Sequence, residues 1–153
     1  MDSFGVFNVS ASALSAQRQR MNVIASNLAN AHSTRTTEGG PYRRQDVVFT
    51  TEAISSRDAG LEGVKVDSIV RDDSPFKTVY DPGHPDADKD GFLAVPNVNV
   101  IEEMVNMMMA SRAYEASVTS FNLSKSMFLK TLELGKVEEL RLADLRLYRG
   151  GRK

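Results

Sequence analysis

The stretch PNVNVIEEMVNMMMASRAYEA, residues 96–116, predicts the beginning of a long helix. Asn99 is a favourable N-cap residue, and Glu102 follows three residues later, which gives the Asn-x-x-Glu form of a capping box. The two acidic residues of this turn, Glu102 and Glu103, also suit the positive end of a helix dipole. Because no proline or glycine then follows before Gly135, the sequence predicts an uninterrupted helix over residues 98–134, about 55 Å long at 1.5 Å per residue.

Apolar side chains recur at seven-residue spacing along this helix, which is typical of a coiled-coil seam. Two such lines hold nine positions, of which seven are apolar or aromatic: Met104, Ser111, Val118, Lys125 and Leu132 on one line, and Met107, Tyr114, Phe121 and Phe128 on the other. The methionines among them can fill irregular gaps in a core or adapt to a partner. Since the helix is too long for the core of a small domain, we expect it to pack against another helix or another subunit.

A second helix is predicted near the N-terminus, over residues 4–31. It carries an apolar residue at every seventh position, namely Phe7, Leu14, Met21 and Leu28. Its other faces are rich in small and polar residues, so its apolar seam is narrow. Asn30 and the polar segment after it predict the end of this helix.

Residues 35–96 contain short segments rich in β-branched residues, separated by glycine and proline. The segments YRRQDVVFTT, GVKVDSIV and, less clearly, KTVYDPG predict strands. The predicted fold class is therefore α+β, in which long N- and C-terminal helices pair as a coiled-coil-like inner domain and support a small β-rich middle domain. The predicted divisions are the N-terminal helical arm, the middle domain, the long C-terminal helix and a C-terminal extension of uncertain structure: 1–34, 35–96, 97–135 and 136–153.

The composition excludes several kinds of site. The chain has 153 residues, a net charge of −1 and no cysteine. It therefore has no global basic field to attract nucleic acid, and no disulfide or thiolate metal site. No apolar run approaches the roughly 18 residues that span a bilayer. Asp2, with no basic and apolar stretch after it, leads us to expect no cleaved secretory signal.

The segment HPDADKDGF, residues 84–92, resembles the start of an EF-hand calcium loop. Loop positions 1, 3, 5 and 6 have the expected residue types, and they are Asp86, Asp88, Asp90 and Gly91. Position 12 requires a bidentate glutamate but is Asn97, and the nearby prolines oppose flanking helices. We therefore predict a solvated turn and no metal site.

The residues indicate no catalytic or cofactor site. His32 and His84 both fall in predicted turns, and no serine-hydrolase or zinc-protease motif is present. Glu102 and Glu103 are adjacent and point to different helix faces, so they are interpreted as capping residues and not as a carboxylate pair. The arginines of RTTEGGPYRR, residues 35–44, have acidic neighbours, which favours a solvated loop over nucleic-acid binding.

Four motifs together resemble the bacterial flagellar rod and hook axial protein family. They are IASNLANAHS at 24–33, GGPYRRQDVVF at 39–49, DSPFKTVYDPGHPDAD at 73–88, and the helix start at 96–116. The resemblance is closest to a subunit of the proximal rod. It runs in the same order from about residue 4 to Gly135 and leaves the last 18 residues outside it.

This resemblance implies a structural subunit of the proximal rod of the flagellar basal body, which transmits torque. Its terminal helices would pair with each other and with those of neighbouring subunits. The expected packing positions are the seam residues Phe7, Leu14, Met21, Leu28, Met104, Met107, Tyr114, Val118, Phe121, Phe128 and Leu132. Asn27 and Asn30 match the family signature, and we expect them to act locally by capping the helix end and shaping the exit into the middle domain.

The resemblance also implies partners and a location. The expected partners are copies of the chain in a helical assembly, other rod proteins, basal-body ring and export-gate components, and the flagellar type III export apparatus. No nucleic acid, small-molecule substrate or cofactor is expected, and no enzymatic activity. The expected location is the periplasmic part of the basal body, reached without a cleaved signal. The residues alone leave two alternatives open: a calcium-binding module and a cytoplasmic coiled-coil adaptor.

Overall fold

The computed structural model describes residues 5–54 and 60–150, with side chains described as far as residue 136. Along the described chain, one helix precedes four strands and a second helix follows them. The elements are α1 Gly5–Ala29, β1 Gln45–Ala53, β2 Glu62–Arg71, β3 Lys77–Tyr80, β4 Phe92–Val95 and α2 Val100–Gly150. The predicted α+β class is confirmed. Neither helix, within the residues described, contains a stretch long and apolar enough to cross a membrane.

Helix α2 begins where its sequence predicts. The Asn99 side-chain oxygen accepts a hydrogen bond from the Ile101 amide at 3.1 Å, which is the N-cap geometry. The helix spans 51 residues and passes through Gly135 without a break. The C-terminal extension, for which the sequence predicts no definite structure, continues the helix backbone as far as Gly150.

Helix α1 lies between α2 on one side and the strands β1 and β2 on the other. At its N-terminal end, the Phe7 ring packs edge-on against Phe121 and Phe128, with ring centroids 5.3 and 6.0 Å away. Ala110 of α2 is completely buried, and a side chain this small lets two helices approach closely. The helices therefore pair within one chain, as the sequence predicts.

The strands form two separate antiparallel pairs, β1 with β2 and β3 with β4. Pairing changes from Val48 opposite Ser68 to Phe49 opposite Val66, so Asp67 is an extra residue in β2, as in a β-bulge. The first three strands correspond to the three predicted segments. The sequence does not predict strand β4, because its four residues directly follow the aspartate-rich turn and are too few to show a periodicity.

Strand β2 sits directly on α1 at a glycine. The Ser12 hydroxyl donates a hydrogen bond to the Val9 carbonyl at 2.8 Å and accepts one from the Val64 amide at 3.0 Å. Gly63 is buried at this point, and a Cβ atom there would lie 2.7 Å from the Ser12 oxygen and 3.0 Å from Ile54 Cδ1. The absence of a side chain thus allows the strand to reach the helix.

We predict that Gly63→Ala lowers the melting temperature by about 5 °C, because overpacking costs about 1–3 kcal/mol. The measurement is thermal unfolding followed by circular dichroism. Gly83→Ala is the control, since its new Cβ would meet only ordinary van der Waals contact, with an Asp81 oxygen at 3.6 Å. Equal melting temperatures for both variants would contradict the close contact between α1 and β2.

Candidate functional site

The predicted packing positions lie on more than one side of the helices. The half-buried ones are Phe7, Leu14, Met21 and Leu28 on α1, and Met107, Tyr114, Val118, Phe121 and Phe128 on α2. Met104 and Leu132 are instead 55% and 51% exposed. An α-helix drifts by about 20° per heptad relative to a 3.5-residue repeat. This drift turns Met104 away from α1. Leu132 is exposed for another reason, since it lies one turn beyond Phe128, which contacts Phe7 near the start of α1.

One side of α2 carries apolar side chains that the described parts of the chain leave exposed. We call this set the apolar face of α2, and its members are Ile101, Met104, Val105, Met108, Met109, Leu123, Met127 and Leu134. With 3.6 residues per turn, all eight project within about a quarter turn of Ile101. A large exposed apolar surface of this kind usually marks a site of protein association.

On the opposite side of α2, at its N-terminal end, lies a buried polar cluster centred on Asn27 of α1. Its amide nitrogen donates to the Gln45 carbonyl at 2.8 Å and to the Glu103 carboxylate at 2.9 Å. Its amide oxygen accepts from the Tyr42 hydroxyl and from the Gln45 amide, both at 3.0 Å. All four hydrogen-bonding positions of this side chain are therefore occupied, and the residue is fully buried.

Glu103 is the second centre of this cluster, and its residue is only 1% exposed. Its other carboxylate oxygen accepts a hydrogen bond from Arg44 Nε at 2.8 Å. The Arg44 guanidinium also lies 3.2 Å from Asp46 and 3.6 Å from Asp72. Burial alone would lower the pKa of Arg44, but the hydrogen bond and charge of Glu103, with a smaller contribution from Asp46, raise it overall.

Asn97 connects the start of α2 to the strands. Its side-chain oxygen accepts from the Arg44 amide at 2.8 Å. Its nitrogen donates to the carbonyls of Asp72 and Ser74 at 3.0 and 3.2 Å. The entry into β1, the exit from β2 and the approach to α2 are thus joined at one place. We call the six residues Asn27, Tyr42, Arg44, Gln45, Asn97 and Glu103 the polar node.

Sequence reasoning missed most of this cluster. Asn30 does act locally, since its nitrogen donates to the Ser26 carbonyl and its oxygen accepts from the Ser33 hydroxyl. Asn27 instead makes long-range bonds to β1 and α2. Glu103 lies 18 residues, or five turns, before Phe121, so both side chains project on the side of α2 that faces α1. A charged residue at such an inward position was the signal in the sequence that could have predicted the cluster.

The aspartates of residues 84–92 hold the turn together and fix it to the rest of the chain. Asp88 accepts hydrogen bonds from the amides of Asp90 and Phe92 at 2.9 and 2.8 Å. Asp86 accepts from the Thr34 hydroxyl at 2.9 Å. Within residues 5–54 and 60–136, no group of three or more histidine, cysteine, aspartate or glutamate side chains is placed to hold a metal ion.

Two carboxylates of the middle region, Asp72 beside Arg44 and the exposed Glu38, have lowered pKa values. Hydrogen bonds from the Ser74 side chain and backbone lower the pKa of Asp72, with smaller contributions from Arg44 and Arg43. The hydrogen bond and charge of Arg71 lower the pKa of Glu38. Both carboxylates are therefore ionised at neutral pH, and they favour the folded chain least in acid.

Comparison with known proteins identifies the family. Models described as flagella basal body rod protein and as flagellar basal body rod FlgEFG protein C-terminal match residues 7–35 and 89–134. The flagellar basal-body rod protein FlgC of Salmonella typhimurium is 48% identical over 89% of this chain and 100% of its own length. The FlgC proteins of Borreliella burgdorferi and Bacillus subtilis are 46% and 45% identical, over 88% and 89% of this chain and 98% and 100% of their own lengths.

The chain belongs to the FlgC family of flagellar basal-body rod proteins. It is a structural rod subunit, as the resemblance to rod and hook proteins implied, and nothing in the comparisons supports a calcium-binding or adaptor module. Three residues of the polar node lie in the segments that the family models match: Asn27 in the first, and Asn97 and Glu103 in the second. The node therefore joins the two ends of the chain that carry the rod-protein similarity.

We predict that Asn27→Asp destabilises this FlgC-family chain by about 3–5 kcal/mol at neutral pH, because it places a second carboxylate against buried Glu103 and removes donors from the Gln45 carbonyl and Glu103. Asn30→Asp, the same exchange three residues later, should cost about 1 kcal/mol, since only a local bond is lost. Urea unfolding of the two variants and the unaltered chain measures both values. Equal losses would contradict a central role for Asn27.

The Asn27→Asp loss should also depend on pH. In the folded variant, the repulsion from Glu103 raises the pKa of the introduced carboxyl above its unfolded value of about 3.9. A group with a raised folded pKa contributes stability below the unfolded pKa and loses it as pH rises. We therefore expect the deficit relative to the unaltered chain to grow between about pH 4 and pH 7. A deficit that is constant over this range would contradict the carboxylate contact.

Proposed function

We propose that this rod subunit belongs to the proximal rod and assembles through its terminal helices into the axial structure that transmits torque. The observation that carries the proposal is the apolar face of α2, which stays exposed although α1 covers the other side of the helix. Burial of a methionine, leucine or isoleucine side chain contributes about 1.5–3 kcal/mol. Covering several of them by neighbouring subunits would strongly favour assembly.

The geometry of the pair suits a helical assembly. Helix α2 presents one face to α1 and another to its surroundings, so each subunit can contact more than one neighbour along its length. Such contacts join two different surfaces, and heterologous contacts propagate a helix when they do not close into a ring. In this arrangement the α1-facing packing positions are centred on Phe7, Phe121 and Phe128, and Met104 belongs to the apolar face of α2. Leu132 projects on the same side of α2 as Phe121 but lies one turn beyond Phe128, where the described part of α1 begins.

We assign the inner domain to residues 1–34 and 97–135 and the middle domain to residues 35–96. The similarity of both ends to rod proteins supports this division. The C-terminal extension, residues 136–153, continues the helix backbone to Gly150, and in the rod it would lengthen the inner surface. Its structure beyond Gly150 lies outside the described residues.

The family also supports a proposal for partners and location. Other rod components and copies of the chain are its neighbours, and basal-body ring and export-gate components contact the assembly. The chain reaches the periplasmic part of the basal body through the flagellar type III export apparatus. Its role is structural and not enzymatic, with no nucleic-acid or small-molecule partner.

We predict that Met104→Asp and Met108→Asp abolish motility and rod assembly but change the melting temperature of the purified chain by less than about 2 °C. The two side chains are 55% and 56% exposed, so a charge costs little in one chain and would be buried unpaired in the assembly. The measurements are swimming in a strain that lacks its own copy, and electron microscopy of isolated basal bodies.

Thr51→Asp is the control, since it adds the same charge at an exposed position of β1 and should leave motility intact. Leu14→Asp and Phe121→Asp form a third group, which should unfold the chain as well as block assembly because these side chains pack within it. Normal rods in the Met104 and Met108 variants would refute the proposed role of the apolar face.

A further inference from the structure

The pairing of the two helices poses a problem of register. The aromatic contacts of Phe7 with Phe121 and Phe128 lie at one end of the pair. Elsewhere the paired helices carry small or flexible side chains such as Ala110 and Met107, and methionine tolerates alternative packing. Apolar residues also recur at regular spacing on both helices. If one helix slides along the other by one turn, about 5.4 Å, apolar residues again face apolar residues. Away from the Phe7 end, apolar packing alone therefore specifies the alignment of α1 and α2 weakly.

Among the described residues, Asn27 and Glu103 form the one side-chain hydrogen bond between α1 and α2, with 2.9 Å between the amide nitrogen and the carboxylate oxygen. A slide of one turn would separate them and leave both groups buried without each other. An unpaired buried carboxylate is strongly unfavourable, and a single polar residue in a seam is the best-attested device for fixing register. The pair therefore favours one alignment over its neighbours.

The charge of Glu103 is balanced from outside the helix pair. Among the described residues, Arg44 is the only cation within 4 Å of this carboxylate, and it directly precedes β1. The position of Arg44 is itself fixed, because Gln45 next to it makes two backbone bonds with Asn27 and the Arg44 amide donates to Asn97. The helix pair thus depends on a strand of the middle domain for its counter-charge.

We infer that Asn27, Glu103 and Arg44 form a register lock that closes only when β1 is docked, so that the middle domain sets the alignment of the two terminal helices. Asn27 contacts β1 through the backbone of Gln45, and Glu103 contacts Arg44, the residue directly before β1. One α1–α2 alignment satisfies both. This inference concerns the single chain and holds whether or not the proposed position in the rod is correct.

The lock is tested by separating stability from alignment in the full chain. Arg44→Met leaves Glu103 buried without its counter-charge and should lower the melting temperature by roughly 10 °C. Glu103→Gln removes the charge but keeps the side-chain shape, and it should lower the melting temperature less. The double variant Arg44→Met, Glu103→Leu replaces the ion pair by apolar side chains and should recover most of the loss of Arg44→Met.

Alignment is measured by electron-spin distance measurements between labels on introduced cysteines, which the chain allows because it has no cysteine of its own. One label pair is Ala25 and Arg112, exposed positions on α1 and α2. The unaltered chain should give one narrow distance. The double variant should add distances displaced by about 5 Å, one helical turn, although its melting temperature has recovered.

Labels at Arg112 and Lys130, both exposed on α2, provide the matched control. They lie about 27 Å apart along one helix, so this distance should stay narrow in every variant. Three results would overturn the inference: a single unchanged α1–α2 distance in the double variant, equal broadening of the control pair, or a melting temperature for Glu103→Gln as low as that for Arg44→Met.

Discussion

The requirement to neutralise one buried carboxylate organises this structure. Glu103 is almost fully removed from water at the start of α2, where an ionised side chain is tolerated only with a charged partner and hydrogen bonds. Asn27 supplies a hydrogen bond from α1, and Arg44 supplies the charge from the edge of β1. The two helices and the strand pair must therefore meet at one point for any of them to be placed correctly.

Polar and apolar side chains have different roles in this arrangement. Among the described residues, the fully buried apolar ones are mostly small, and they are Ala16, Val23, Ile24, Ala31, Leu93, Val98 and Ala110. Many of the aliphatic side chains of α2 lie on its exposed face, whereas its aromatic residues Tyr114, Phe121 and Phe128 are half-buried. Packing of large side chains usually specifies a unique core, but here much of that role passes to the hydrogen bonds of the polar node.

The sequence predicted the elements better than the contacts between them. The cap at Asn99, the unbroken run to Gly135 and the β-branched segments are local signals, and local signals predict local structure. Strand β4 was not predicted because four residues are too few to show an alternating pattern. The node escaped because Asn27 and Glu103 are 76 residues apart, and each has a sufficient local explanation, as a helix end residue and as a dipole partner.

The same division explains why the apolar face of α2 can remain exposed. A helix that had to use all its apolar residues to find its place beside α1 would have none left for neighbours. Because three polar side chains hold the alignment, α2 keeps Ile101, Met104 and Met108 directed away from its own chain. A rod subunit of the FlgC family needs such a surface, and a rigid connection between its helices and strands would let a load applied to one part reach the other.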